Sequence, residues 1–260
     1  MIDFVGGRTA LAARRIRALG DPAERFREDR LRMLRAVRFA TVLDFVIDPA
    51  TMAAVRAQAP AIADVSAERI RVELGKMLSS GRGGRGLGLL KEAGLLEVLL
   101  PEVAALDGVA QPARFHPEGD VFTHTRMLLD GYRGGGEAVA WAALLHDVGK
   151  PPTATRNEKG RIAFPRHAEV GAEMAREVLT RLRASNRLVD EVEGLVALHM
   201  HWPALAKMRE AKRRRHLLRE DFDAHMELHR LDCAACHGDL SVHAYALRAR
   251  DALPLEPPPV

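Results

Sequence analysis

Apolar positions recur at three- and four-residue intervals along most of this chain, and strict alternation is nearly absent, so the pattern predicts an all-α protein. Phe26, Leu31, Leu34, Val37, Phe39 and Leu43 form one such series, in a helical pattern that begins at about Ala10. Asp48-Pro49 and Val65-Ser66 read as helix starts, with Ser66 as an N-cap. Gly81 to Gly88 reads as a Gly/Arg-rich break, and Leu87 to Leu100 as a short apolar helix or pair closed by Pro101. Further on, helices are predicted over 121–131, 138–148, 167–182, 188–201, 208–218 and 222–250. Two segments depart from the helical period: Ile2-Asp3-Phe4-Val5 before Gly6-Gly7 reads as a short orphan strand, and Leu253 to Val260 as a proline-rich, extended tail. The stretch 107–120, with Pro112, Pro117 and two glycines, is the best linker, which divides the chain into 1–20, 21–108, 109–250 and a tail at 251–260.

The 260 residues are 47% hydrophobic but only 5% aromatic, which suits a core packed by Leu, Ala and Val. Cys233 and Cys236 cannot make a disulfide framework, and a lone CxxC without a second pair points to neither zinc nor redox chemistry. No apolar stretch approaches the roughly 18 residues of a membrane span, and no signal-peptide core is present, so the expected compartment is the cytoplasm, with no membrane partner. Net charge is only +4, yet basic residues cluster: Arg14, Arg15 and Arg17; Arg82 and Arg85 on the Gly-rich segment; and Lys207, Arg209, Lys212, Arg213, Arg214 and Arg215. Such clusters suit a phosphate backbone, although charge runs are commonly just solvated helix faces. With few aromatics for base stacking, recognition would be of duplex shape, as in a structured RNA.

His124, the pair His146-Asp147, His167, His199 and Asp232 supply imidazole nitrogens and carboxylate oxygens, a set that suits a divalent cation activating water for hydrolysis. His146 and Asp147 follow Trp141-Ala142-Ala143-Leu144-Leu145, a run that must be buried, where two polar side chains are costly unless a cation satisfies them. The wide spacing leaves each histidine, His124 above all, open to the plainer reading of a hydrogen-bonded core residue. His201 should point away from His199, and His229, sharing a helical face with His225 and Asp232, either orients Asp232 or is structural. The only DxD, Asp221-Phe222-Asp223, reads as a helix cap.

The order His, His-Asp, His, His, Asp, together with His146-Asp147-Val148-Gly149-Lys150-Pro151, resembles the HD superfamily of metal-dependent phosphohydrolases. The resemblance implies His124, His146, Asp147 and Asp232 as core ligands, and His167 and His199 as the added ligands of two-metal members. It also implies a phosphate contact for Lys150, with His146, Asp147 and Lys150 as the catalytic set. One or two divalent ions (Mn, Ni, Co or Mg) and phosphoesters at nucleotide or RNA termini would follow.

Upstream, Glu28-Asp29-Arg30-Leu31-Arg32 and Leu34-Arg35-Ala36-Val37-Arg38-Phe39-Ala40 resemble the neck helices of bacterial class II tRNA nucleotidyltransferases and poly(A) polymerases, including the CCA-adding enzymes. The match continues through Ile16 to Pro22, Ile47-Asp48-Pro49, Ser66 to Lys76, Leu100-Pro101-Glu102 and Phe115 to Asp120. It implies a neck and RNA-binding domain at 21–108, an HD domain at 109–250, and the end of a head domain in 1–20. Asp29 and Arg32 would then read the base edge of an incoming nucleotide, one accepting and one donating from a single helix, where the plainer reading is an exposed ion pair. Arg14, Arg15, Arg82, Arg85, Lys212, Arg213 and Arg214 would face tRNA. The Gly-rich strand-turn and paired-aspartate strand of the head are not found in these residues, so nucleotide addition is not expected from this chain alone and a separate head polypeptide becomes a candidate partner. The alternatives are a non-catalytic RNA-binding module with a structural HD domain, or a fragment of a longer or split gene.

Overall fold

Caps and close-packed glycines decide where the helices begin and stop. The computed structural model describes Asp3 and residues 5–112, 116–158 and 160–253. Its first half runs α1 (Gly7–Ala12), β1 (Arg15–Ile16), α2 (Pro22–Glu28), α3 (Leu31–Leu43), β2 (Val46–Ile47), α4 (Pro49–Gln58), a 3-10 stretch (Ala59–Asp64), α5 (Ala67–Met77), a π turn (Leu78–Arg82), α6 (Gly83–Glu92), α7 (Leu96–Leu99) and α8 (Pro101–Ala104). The second runs α9 (Val121–Asp130), α10 (Gly136–Leu145), α11 (Lys150–Thr153), β3 (Thr155–Arg156), β4 (Ile162–Ala163), α12 (His167–Arg181), α13 (Asn186–Leu198), a 3-10 stretch (His199–Lys207), α14 (Glu210–Leu217), α15 (Phe222–Ala235) and α16 (Ser241–Asp251). The all-α expectation holds, and no helix among the described residues is long and apolar enough to cross a membrane.

The strands are two minimal pairs, β1 parallel to β2 and β3 antiparallel to β4. The first interrupts the helical run expected from Ala10: Arg14 takes a left-handed φ of 49°, and the amide of Ala18 donates to Thr51 Oγ1 at 3.1 Å. The orphan strand expected over Ile2–Val5 falls partly outside the described residues, but the Asp3 carboxylate accepts from the amides of Gly7 and Arg8, at 2.9 and 2.7 Å, in a turn leading into α1. The proline-rich tail beyond Leu253 lies outside the described residues.

Three other expectations need correction. Gly81 to Gly88 is not a break throughout: Gly81 alone has a left-handed φ (73°), whereas Gly83, Gly84, Gly86 and Gly88 belong to α6. These glycines allow contact. A Cβ on Gly84 would stand 1.9 Å from the Arg126 carbonyl oxygen on α9, so only glycine lets the two helices approach this closely. The helix expected over 222–250 is two helices, because Gly238 (φ 71°) turns the chain and donates from its amide to the Cys233 carbonyl at 2.8 Å, a glycine stop. Asp48 caps α4 by accepting from Ala50 and Thr51, but Ser66 and Asp221, although at N-cap positions, make no capping bond with their side chains.

The main core runs without interruption from Phe26, Leu34, Leu74 and Leu87 to Trp141, Leu144, Val192 and Leu231. Asp120 ties the connecting segment to α9 by accepting from the amides of Thr123 and Gly108, at 2.8 and 2.7 Å. A smaller cluster of Trp202, Leu205, Leu217, Phe222, Met226 and Ala246 joins the 3-10 stretch after α13 to α14, α15 and α16.

Candidate metal centre

From Val139 to Leu145, α10 is buried on every side, so the residues following its last turn, His146 and Asp147, are delivered into the interior. Gly149 then lets the chain close onto the start of α12: a Cβ there would lie 2.1 Å from the His167 carbonyl oxygen and 2.6 Å from the Gly171 amide. That approach brings in His167, the first residue of α12. His124 comes from the middle of α9, His199 from the end of α13 and Asp232 from α15.

Every one of the four histidines is anchored through Nδ1. His146, His167 and His199 donate to the carbonyls of Ala143, Phe164 and Val196, at 3.1, 2.9 and 2.7 Å. His124 donates to Glu118 Oε1 at 2.8 Å. Because a carbonyl can only accept, each carbonyl-bound ring carries its proton on Nδ1 and presents a lone pair at Nε2. Those Nε2 atoms converge. His167 and His199 face each other Nε2 to Nε2 at 3.3 Å, and the ring centres of His124, His146 and His199 follow at 5.4 and 5.5 Å. Carboxylates close the group, with Asp232 Oδ1 at 3.1 Å from His124 Nε2, Asp147 Oδ2 at 3.2 Å from His146 Nε2 and Asp147 Oδ1 at 3.7 Å from His167 Nε2.

The donor set fits a divalent cation. Two imidazole lone pairs pointed at each other repel unless a positive charge lies between them, and Nε2 of His146 is buried with no hydrogen-bond partner among the described residues. Burial pushes His199 down to about 4 and lowers His167 as well, so both rings are neutral and ligand-competent at neutral pH. Burial also acts against charge on His124, but the hydrogen bonds with Asp232, Cys236 and Glu118 overcome it and push that ring up to about 12. Asp147 and Asp232 lie below the usual carboxylate range despite burial, held there chiefly by the neighbouring His146 and by the hydrogen bond with His124 respectively.

All six candidate ligands read from the sequence therefore meet in one place. Lys150 is buried: its ammonium lies 2.7 Å from Asp147 Oδ2 and donates to Gln111 Oε1 at 2.6 Å. A cleft of about 250 Å³ adjoins His167, lined by Phe164, Arg166, Glu169, Met200 and His201 among others. His201 instead approaches His216, at 3.3 Å. His229 packs against the Cys233 sulfur, and the buried Cys233 thiol is pushed up to about 12, leaving it protonated. Sequence reasoning assigned no role to His116, Glu118 or Gln111; Glu118, six residues before His124, carries no periodic signal because it sits in the loop leading into α9.

The neck residues are arranged differently from expectation. Asp29 and Arg32 do not share a helix: Asp29 is the C-terminal cap of α2 and pairs with Arg69 at 3.1 Å, whereas Arg32 lies in the first turn of α3 and pairs with Glu28 at 2.6 Å. The capping amide of Leu31 binds the Asp29 carboxylate and fixes that break. Arg32 lines a second cleft of about 250 Å³ with Arg17, Arg25, Arg35 and Phe39. Arg14, Arg82 and Arg85 converge on Asp44, at 3.2, 3.4 and 3.6 Å, so one carboxylate gathers three guanidinium groups. Arg85 lies in α6 and not on a loop. Arg15 pairs with Asp48 at 3.5 Å, and among the described residues Lys212, Arg213 and Arg214 on α14 form no ion pair.

Residues 44–106 match the family described as a probable RNA and SrmB-binding site of polymerase A, and residues 120–229 match the HD domain. The chain is 35% identical over its whole length to an A-adding tRNA nucleotidyltransferase of Deinococcus radiodurans, of which it spans 63%. It is 41% identical, over 76% of its length, to a CC-adding tRNA nucleotidyltransferase of Thermus thermophilus, of which it spans 47%. The chain thus spans between about half and somewhat under two thirds of these curated relatives. Among solved structures it resembles the Bacillus stearothermophilus CCA-adding enzyme in complex with CTP, at a TM-score of 0.65 and 27% identity, over 96% of this chain and 53% of that one.

Proposed function

Because the chain is homologous to the CCA-adding tRNA nucleotidyltransferases through their neck and body region and carries an HD domain, we propose that it is the tRNA-binding and phosphohydrolase portion of such an enzyme. It would act in tRNA 3′-end processing on phosphoesters at nucleotide or RNA termini. The observation that supports the hydrolytic half is the Nε2-to-Nε2 approach of His167 and His199 within a ring of histidines whose Nδ1 atoms are already fixed. His124, His146, Asp147 and Asp232 would hold one divalent ion, and His167 and His199 would complete the site for a second. A cation bound there supplies Lewis acidity, lowering the pKa of water and polarising a phosphoryl oxygen.

The protein's own groups do the rest. Ala143, Phe164, Val196 and Glu118 keep the imidazoles in the ligating tautomer, and the buried walls of α10 and α13 exclude bulk water. His146 and, after it, Lys150 keep Asp147 ionised, and the Lys150 ammonium is close enough to exchange that contact for a substrate phosphate. In the neck, Arg32 and its arginine-lined cleft would meet a nucleotide, with Asp29 at the adjoining break, and the Asp44 cluster would meet the RNA backbone. Nucleotide addition would fall to a head domain outside these residues.

A second reading, an RNA-binding module with a structural HD domain, draws on the same lysine: with Lys150 on Asp147 and a proton on His124, the carboxylates are balanced without any cation. Elemental analysis, with hydrolysis of a cyclic nucleotide and an aryl phosphate, separates the two. Metal and hydrolysis lost together in Asp147→Ala, with tRNA affinity unchanged, support the hydrolase. A parent that stays metal-free and inactive after adding Mn, Ni, Co or Mg leaves the module.

A further inference from the structure

The His124 ring has two faces in use. Its Nε2 looks toward Asp232, and its Nδ1 looks outward at a group that is not among the ligands of the hydrolytic centre: His116, Glu118 and Cys236. Ligand atoms of these four residues lie within 4.8 Å of one another. Cys236 Sγ is 3.5 Å from His116 Nδ1 and 3.6 Å from His124 Nδ1. With Zn–S near 2.3 Å and Zn–N near 2.0 Å, sulfur and nitrogen ligands of a tetrahedral ion stand about 3.5 Å apart, so this spacing is already that of a coordination edge.

Glu118 supplies an independent observation. Its side chain is only 3% exposed, yet Oε1 accepts from both His116 and His124, at 2.9 and 2.8 Å, while Oε2 is buried with no hydrogen-bond partner among the described residues. A buried carboxylate ordinarily distributes its bonds over both oxygens, and an ionised oxygen left bare is among the costliest groups to bury.

We propose that His116 Nδ1, Glu118 Oε2 and the Cys236 thiolate form a second, thiolate-containing cation site suited to Zn²⁺, abutting the hydrolytic centre through the ring of His124. Sulfur selects a borderline-soft ion over Mg²⁺ or Ca²⁺. On binding, Cys236 gives its proton to solvent and His116 carries its own on Nε2, while His124 goes on donating to Glu118 Oε1. The ion would clamp the loop before α9 to the end of α15, where Cys236 is the cap, and would hold Glu118 in the position from which it orients His124.

The test uses the full chain, stripped of metal and titrated with Co²⁺, which gives an intense near-ultraviolet charge-transfer band only when bound by thiolate. The parent should show that band. Cys236→Ser should abolish it and lower zinc content by one ion per chain, whereas Cys233→Ser and Asp147→Ala should keep it. No thiolate band in the parent, an undiminished band in Cys236→Ser, or a band lost in Cys233→Ser or Asp147→Ala would overturn the proposal. Since the readout is independent of hydrolysis, failure of the hydrolase reading would leave this result standing.

Discussion

Among the described residues, buried histidines gather around His146 and again around Trp202, and the first group alone of these two has the arrangement expected of a metal centre. Around His146, each Nδ1 is tied to a carbonyl or carboxylate, and the Nε2 atoms converge on Asp147 and Asp232. Around Trp202, His225 leaves both ring nitrogens without a hydrogen bond among the described residues, Asp221 lies 3.4 Å from its Nε2, and the ring rests at 5.2 Å against the indole. His201 and His216 meet nearby through one contact at 3.3 Å. Burial is shared, so burial does not make ligands. Anchoring one nitrogen so that the other points at common carboxylates does.

Removing a converging group should have the largest effect. Asp147→Ala should reduce hydrolysis and metal affinity by more than about 100-fold, since even an outer-shell partner of a metal ligand commonly contributes 10–100-fold. His225→Leu, in the other cluster, should leave bound metal unchanged by elemental analysis. Equal metal loss in both variants would break the distinction.

Next in size is the packing that seats the first cluster. Gly149→Ala sets a Cβ against backbone atoms of His167 and Gly171, and Gly84→Ala sets one against the Arg126 carbonyl. Each should cost about 1–3 kcal/mol or more in denaturant unfolding. Only Gly149→Ala should also weaken metal binding, because only it moves His167 relative to Asp147. Equal metal affinity in the two variants would show that the α10–α12 contact does not set the ligand geometry.

These two glycines also show what the sequence could and could not reveal. His124, His146, Asp147, His167, His199 and Asp232 were legible because their order along successive helices carries the HD pattern. The glycines of α6 were not, because glycine lowers helix propensity whether it breaks a helix or lets another helix approach, and only the position of Arg126 decides. Glu118 lies in a loop where periodicity has no meaning. Asp29 and Arg32 have the spacing of a helical pair, but the carboxylate accepts from the Leu31 amide and so ends one helix instead of lining the next. The convergence of Arg14, Arg82 and Arg85 on Asp44 joins segments far apart in the chain, which no local pattern contains.

A smaller effect separates the clusters by pH. Burial pushes His225 down to about 4, below its ordinary value of 6.5, despite Asp221 opposing that shift; Arg219 and His216 add to it. Between those values the unfolded chain binds more protons than the folded one, so stability is greatest above pH 6.5, falls as pH drops and levels off below about 4. The contribution is at most roughly 3 kcal/mol. In metal-loaded protein, His225→Leu should flatten the stability profile between pH 6.5 and 4. An unchanged profile would assign the acid sensitivity to other groups.

The smallest effects belong to the exposed arginines, and they extend the lesson from imidazole to guanidinium. Asp44 gathers three guanidinium groups as Asp147 and Asp232 gather imidazoles, but on the surface, where each ion pair is worth little and the net positive charge remains available. If that cluster meets the RNA backbone, Arg14→Ala and Arg82→Ala should each weaken tRNA binding modestly and reduce its salt slope by about 1, without changing metal content. Lys212→Ala on α14, whose ammonium has no ion pair among the described residues to give up, should do the same if both surfaces touch the RNA. A reduced slope for the Asp44 cluster with an unchanged one for Lys212→Ala would confine the footprint to the neck, because a charge that meets no phosphate releases no counterion when the complex forms.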